Sequence, residues 1–200
     1  MQATPLDQPL LSAKTLRIDR GGRTLIEGLT FDLRAGEQLV VRGPNGCGKT
    51  SLLRVLAGVA APAAGTLTAT SVGYLGHRDG FKDTASVACA LKQWCALARQ
   101  QNPALDEVLA QVGLADRSLF LVRALSAGQR RRLAIARLLL RKASVWVLDE
   151  PFNALDSAGR ALLTQAFETH CAAGGCIVMA LHEDIAFDGA KTLSLGEAAA

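Results

Sequence analysis

Three short runs of residues carry the types and spacing that phosphate chemistry needs. Gly43-Pro44-Asn45-Gly46-Cys47-Gly48-Lys49-Thr50 fits G-x-x-x-x-G-K-[ST] and lies between an apolar strand and a helical pattern opened by Ser51. Glycines let backbone N–H groups turn inward around a phosphate, and the following helix adds the positive end of its dipole. In that setting Lys49 neutralises the β- and γ-phosphates, Thr50 offers a hydroxyl to Mg²⁺, and Ser51 closes the binding run. Val145-Trp146-Val147-Leu148-Asp149-Glu150 is an apolar strand that ends in two carboxylates. Acids at the C-terminal edge of such a sheet meet the metal and the attacking water, so Asp149 is expected on Mg²⁺ and Glu150 as general base. Leu125-Ser126-Ala127-Gly128-Gln129 opens a basic helix that continues Arg130-Arg131-Arg132, a second helix start suited to an anion. Ser126 also fits a plain N-cap, and capping and phosphate contact can coexist.

Elements must hold these runs in place. Short alternating segments at Thr15–Asp19, Thr24–Leu33 and Gln38–Arg42 read as strands, with a turn at Ala35-Gly36. Ser51–Ala57 reads as a helix that Gly58 ends, and Thr66–Leu75 as two more short strands. The period then turns helical over Thr84–Gln101, Ala104–Val112 and Gln129–Arg141. Ser144–Leu148 and Cys176–Ala180 are apolar runs of the kind buried in a parallel sheet, with a helix over Ser157–Ala172 between them. Together they predict an α/β core interrupted by a helical insertion.

The 200 residues suffice for a substantial core without disulfides or metals. Half are apolar but only 4% aromatic, which disfavours a β-sandwich, and 20% charge excludes a disordered chain. A net charge of +4 is too mild to argue for a nucleic-acid partner, and none is expected. The longest uncharged stretch, Val55 to His77, is broken by Gly58, Pro62 and Gly65, so no bilayer span is expected. The first residues lack a basic segment followed by an apolar core, so no secretory signal is expected either. Any membrane attachment then comes through a partner. The five cysteines form no CxxC pair and read as reduced thiols. Cys47 has two readings: a small residue that fits the loop, or a thiolate stabilised at a helix start.

In the order loop, LSAGQ, VWVLDEP, the chain resembles the nucleotide-binding subunits of ABC transporters over roughly Leu16 to Leu195. The resemblance implies the P-loop NTPase fold: a RecA-like parallel core, an N-terminal antiparallel β subdomain and a helical insertion at about 78–141, all in one ATP-binding domain. It implies a head-to-tail homodimer holding two ATP molecules with Mg²⁺, each between one phosphate loop and the other subunit's LSAGQ. It places Asp156 in a dimer-contact loop and His182 as the switch histidine near the γ-phosphate. Two departures stand out. No aromatic residue for stacking on adenine precedes the phosphate loop; Arg20 can offer its guanidinium instead, though an exposed strand-end arginine is equally consistent. His77 stands where such subunits have a glutamine that links the metal-and-water region to the membrane partner, and a solvated loop histidine is its plainer reading.

The stretch Tyr74-Leu75-Gly76-His77-Arg78-Asp79-Gly80-Phe81-Lys82, with LSAGQRRRLAIARLLL and LDEPFNALD, narrows the resemblance to the ATPase subunits of cytochrome c maturation systems, often called haem exporters. That implies an integral membrane permease partner and a peripheral place on the cytoplasmic face of a bacterial inner membrane. No direct haem contact is expected, since no CxxCH occurs and His77, His170 and His182 have other readings. The alternatives are the engine of another ABC transporter, or a soluble ABC ATPase in cofactor assembly.

Overall fold

A computed structural model describes residues 8–98, 104–181 and 189–196. β1 (Leu11–Arg20) and β2 (Arg23–Leu33) form an antiparallel hairpin joined by Gly21 and Gly22, with φ of 58° and 77°. Two consecutive positive φ values suit a two-residue turn whose twist matches the strands, and glycine adopts them without Cβ strain. β4 (Ala64–Ala69) pairs with the other edge of β1, giving a three-stranded sheet in the order β2-β1-β4.

β1 begins four residues before the strand expected at Thr15. Leu11 and Ala13 are buried, and so are Leu16 and Ile18, so the inward phase changes from odd to even positions. A register break between Ala13 and Leu16 makes this possible, with Thr15 at φ 48° taking up the extra residue.

The second sheet has the order β5-β6-β7-β3-β8. β3 (Gln38–Arg42), β6 (Val145–Asp149), β7 (Cys176–Ala180) and β8 (Lys191–Ser194) run parallel. β5 (Val72–Leu75) forms one edge beside β6. Every residue of β6 and β7 is buried, as expected of central strands covered on both faces. Each large aliphatic side chain there contributes about 1.5–3 kcal/mol on leaving water. α1 (Lys49–Leu56) packs on β6 and β7 through Leu52, Leu53, Val55 and Leu56, which join residues of both sheets in one core. β8 was not expected from the sequence; its pattern is polar and mostly exposed, as an edge strand allows.

The chain divides into two compact units. Of the described residues, the first comprises 8–74, 143–151, 167–181 and 189–196, and the second 75–98, 104–142 and 152–166. In the second, α2 (Val87–Leu97), α3 (Leu105–Gln111) and α4 (Ala127–Leu140) pack together around Leu91, Leu109, Leu114 and Leu133. The helix expected from Thr84 starts instead at Val87, because the Ser86 hydroxyl accepts the Cys89 N–H at 3.3 Å and caps it. α5 (Ser157–Ala172) contributes its first ten residues to the second unit and its last six to the first.

Candidate active site

β3 delivers the chain to Gly43, and three glycines then bend it around a hollow. Gly43, Gly46 and Gly48 have φ of 143°, 84° and 112°. At Gly48 a Cβ would approach the Leu25 side chain at 3.2 Å, and at Gly43 it would strike the Leu195 carbonyl and lie 2.8 Å from the Cys47 sulfur. A Cβ on Gly46 meets nothing within 4 Å, so the loop stays open on that side. α1 begins at Lys49 with no side-chain cap and no acidic residue in its first turn, leaving its positive end uncompensated. The ammonium of Lys49, a residue 7% exposed, donates to the Gly43 carbonyl at 2.5 Å and the Pro44 carbonyl at 3.1 Å. The hollow therefore concentrates donors and positive charge and suits a chain of phosphates.

A cavity of about 240 Å³ opens here, lined by Asn45, Gly46, Gly48, Lys49, Thr50 and Ser51, with Arg20, Leu25 and Glu150 on its other walls. Glu150 follows β6 directly. Its φ is 47°, a left-handed conformation that costs a side-chain-bearing residue about 1–2 kcal/mol, and its N–H reaches the Ala180 carbonyl at 3.2 Å. The turn thus brings the Glu150 carboxylate to the same cavity as Lys49 and Thr50. Asp149, the last residue of β6, is 2% exposed. Among the described residues no three His, Cys, Asp or Glu side chains cluster as a metal cage. One buried carboxylate beside the strand end and one hydroxyl at the start of α1 match the oxygen donors Mg²⁺ takes when phosphates and water complete its shell.

Arg20, at the end of β1, lines the cavity beside Leu25. The hairpin end is held by a local network: Arg17 donates to Asp19 and to Thr24, both at 3.0 Å, and the Thr24 hydroxyl donates to Asp19 at 2.9 Å. Arg17 and Thr24 hold the Asp19 carboxyl below the usual carboxylate range. Leu25 escaped notice in the sequence because an apolar residue in a strand looks like core. Cys47 is not among the residues that line the cavity. It packs against the core of the first unit, beside Gly43 and Gly196, and so behaves as a small residue filling the loop.

In the second unit, Ser126 and Gln129 form a reciprocal cap. The Ser126 hydroxyl accepts the Gln129 N–H at 3.2 Å, and the Gln129 side-chain oxygen accepts the Ser126 N–H at 3.0 Å. A Cβ on Gly128 would lie 2.9 Å from the Ala154 carbonyl, so glycine permits the close approach of the 152–156 turn to α4. Ala154 itself has φ 62°. Asp156 accepts the Gly159 N–H at 2.9 Å and pairs with Arg132 at 2.5 Å, which together hold its pKa low. His77 is exposed on the loop after β5. His182 lies outside the described residues.

A sequence model of the ABC transporter family matches residues 26–153, from β2 through the carboxylates to the turn after them. The chain belongs to the ABC transporter family. Its ABC relatives include the cytochrome c biogenesis ATP-binding export protein CcmA of Rhodobacter capsulatus, 44% identical over 188 residues that cover 93% of this chain and 87% of the relative. The protein of that name from Paramagnetospirillum magneticum is 43% identical over 203 residues, covering 93% and 94%. Among solved ABC structures, an ATP-binding subunit of an ABC transporter superposes with a TM-score of 0.80 at 20% identity, covering 86% of this chain and 79% of that one. An ABC transporter ATP-binding protein from Pyrococcus furiosus gives 0.79 at 22%, covering 92% and 96%. The chain is therefore an ABC ATPase, a family that binds nucleotide, and among its described residues no helix is long and apolar enough to cross a membrane.

Proposed function

We propose that this chain is the ATP-hydrolysing subunit of a bacterial inner-membrane complex that moves or handles haem during c-type cytochrome assembly. The observation that carries the enzymatic part is the shared cavity of Lys49, Thr50 and Glu150. The relatives named above supply the cellular part.

In this reading the loop from Gly43 to Ser51 wraps the phosphates through its backbone N–H groups, and the Lys49 ammonium moves from its two carbonyls to the β- and γ-phosphates. Thr50 and Asp149 would hold Mg²⁺, which when bound would supply charge neutralisation at the phosphate oxygens. The Glu150 carboxylate takes a proton from the attacking water and orients it in line with the γ-phosphate. The base lies against Arg20 and Leu25. Helix α4, with Ser126, Gly128 and Gln129, faces the ATP of a second copy, with Asp156 in the contact between copies and His182 near the γ-phosphate. The helical stretch at about 78–141 is an insertion in one nucleotide-binding domain, and His77 relays its movement. The subunit is peripheral, on the cytoplasmic face, and held by integral permease subunits of a cytochrome c maturation system; haem meets the permease rather than this chain.

Complementation tests this reading. In cells lacking the chain, the wild type should restore covalent haem in c-type cytochromes and co-sediment with membranes, releasing on a carbonate wash. Lys49→Ala should restore nothing. Full restoration by Lys49→Ala would refute ATP-driven haem handling, and a wild type found only in the soluble fraction would favour a soluble assembly ATPase.

A further inference from the structure

The loop that carries His77 is tied to α4 by three successive contacts, all inside the second unit. Arg131, 6% exposed, donates from Nη1 to the Gly76 carbonyl at 2.9 Å. Arg137, six residues further along the helix, donates from Nη1 to the Asp79 carbonyl at 2.5 Å. Arg130 pairs with Asp83 at the far end of the loop. The Arg137 guanidinium also lies 4.6 Å from the Trp94 ring of α2 and 5.4 Å from the Phe81 ring of the loop, a cation held between two aromatic faces. Gly80 lets the loop pass this cluster: its φ is 73°, and a Cβ there would touch Trp94 at 3.5 Å and Arg137 at 3.6 Å.

Holding a surface loop by its backbone carbonyls through one buried guanidinium, Arg131, and one half-buried one, Arg137, is a costly arrangement. Burial lowers the Arg137 pKa and raises that of Asp79, while the charges of Arg131, Arg130, Arg137 and His77 pull Asp79 back down. A carbonyl held by a charge-assisted hydrogen bond leaves the chain at that point less freedom, because releasing it gives up a bond stronger than one between neutral groups. The grip also starts one turn into the helix that opens at Ser126, so a shift of that helix start passes along a single rigid rod.

We propose that Arg131 and Arg137 are positioning residues that bolt the His77 loop to α4, so that His77 and the Ser126 helix start shift as one part during turnover. This rests on the reading above in which the Ser126 helix start faces the nucleotide of a second copy and His77 relays the movement of the helical stretch. Neither arginine touches ATP; each acts through the backbone it holds.

Hydrogen exchange together with steady-state kinetics tests the bolt on the intact chain. In Arg137→Met and Arg131→Met, amides at 76–83 should exchange about tenfold faster, as loss of a charge-assisted hydrogen bond implies, while those at 130–140 keep their rates. The kcat for ATP should fall about tenfold with KM changed less than about twofold, because the phosphate loop belongs to the other unit. Arg137→Lys keeps a cation and a donor but loses the planar guanidinium that stacks on the rings, so it should recover both readouts only in part, ending between the wild type and Arg137→Met. Phe81→Leu removes one ring from a half-buried site and serves where the methionine variants fold poorly; it should speed loop exchange about threefold. Unchanged loop exchange in these variants would refute the bolt. Fast loop exchange with wild-type kcat would refute its part in turnover. An inactive wild type would overturn the proposed function instead, and the exchange data would still decide whether the bolt exists.

Discussion

Arg20 lines the cavity with Leu25 as its neighbour, and in the proposed reading its guanidinium stands in for the aromatic residue that stacks on adenine in related subunits. An aromatic ring under a base is worth about 1–3 kcal/mol where substitution has measured it in nucleic-acid complexes. An exposed guanidinium against a π-face is worth about 0.5–1 kcal/mol. Arg20→Ala should therefore raise the Kd for ATP by about two- to fivefold, and Arg20→Tyr should lower it by about fivefold or more. Selectivity follows from the same chemistry. Leu25 offers no hydrogen bond, and arginine only donates, so it can serve N7 of adenine or N7 and O6 of guanine. GTP should then displace a fluorescent ATP analogue with an inhibition constant within about threefold of that for ATP, and Arg20→Tyr should not restore discrimination of the purine edge. Displacement titrations of wild type, Arg20→Ala and Arg20→Tyr with both nucleotides read all of these. ATP preferred by more than about twentyfold, with no change in Arg20→Ala, would show that another group holds the base.

Ser126→Arg should leave monomer nucleotide binding nearly intact while abolishing ATP-dependent dimers in light scattering; loss of binding itself would refute the two-copy site. Cys47 is half-buried against the core and does not line the cavity, so MgATP should not protect it from alkylation; strong protection would place the thiol at the phosphates. His170 stacks on Trp146 at 3.9 Å between ring centres, and its Nε2 lies 3.3 Å from the Cys176 carbonyl. Burial lowers its pKa, so the unfolded chain takes up the proton first as pH falls. Its contribution to stability is full above about pH 6.5 and is lost progressively below that. Urea unfolding at several pH values should show this slope in the wild type and a flatter one in His170→Phe; identical slopes would refute the assignment.

The nucleotide loop and the carboxylate pair were legible because their chemistry is local: glycine spacing, one lysine and a strand ending in acids are all readable in a few residues. The helix after Ser126 was legible for the same reason, although its reciprocal cap starts it two residues earlier than the period suggested. What escaped depends on long-range geometry. The bulge at Thr15 reverses the inward phase of β1, so alternation made the strand appear to begin only after it. β8 is four residues of mixed polarity, whose strand state comes from pairing with β3 rather than from its own pattern. Arg131 and Arg137 read as part of a basic helix face, and only the fold brings the Gly76 and Asp79 carbonyls to them. Leu25 likewise gains its role from Gly48, which lets the strand and the phosphate loop come together.

The central claim is that Glu150 performs the hydrolytic step in a cavity built to hold ATP. Glu150→Gln keeps the shape and the left-handed turn but removes the base, and its nucleotide content and mass can be read together after incubation with MgATP. The expected result is a dimer retaining two unhydrolysed ATP molecules, with turnover lowered by about a hundredfold or more. Wild-type turnover in Glu150→Gln, or a variant that stays monomeric and empty of nucleotide, would contradict the account.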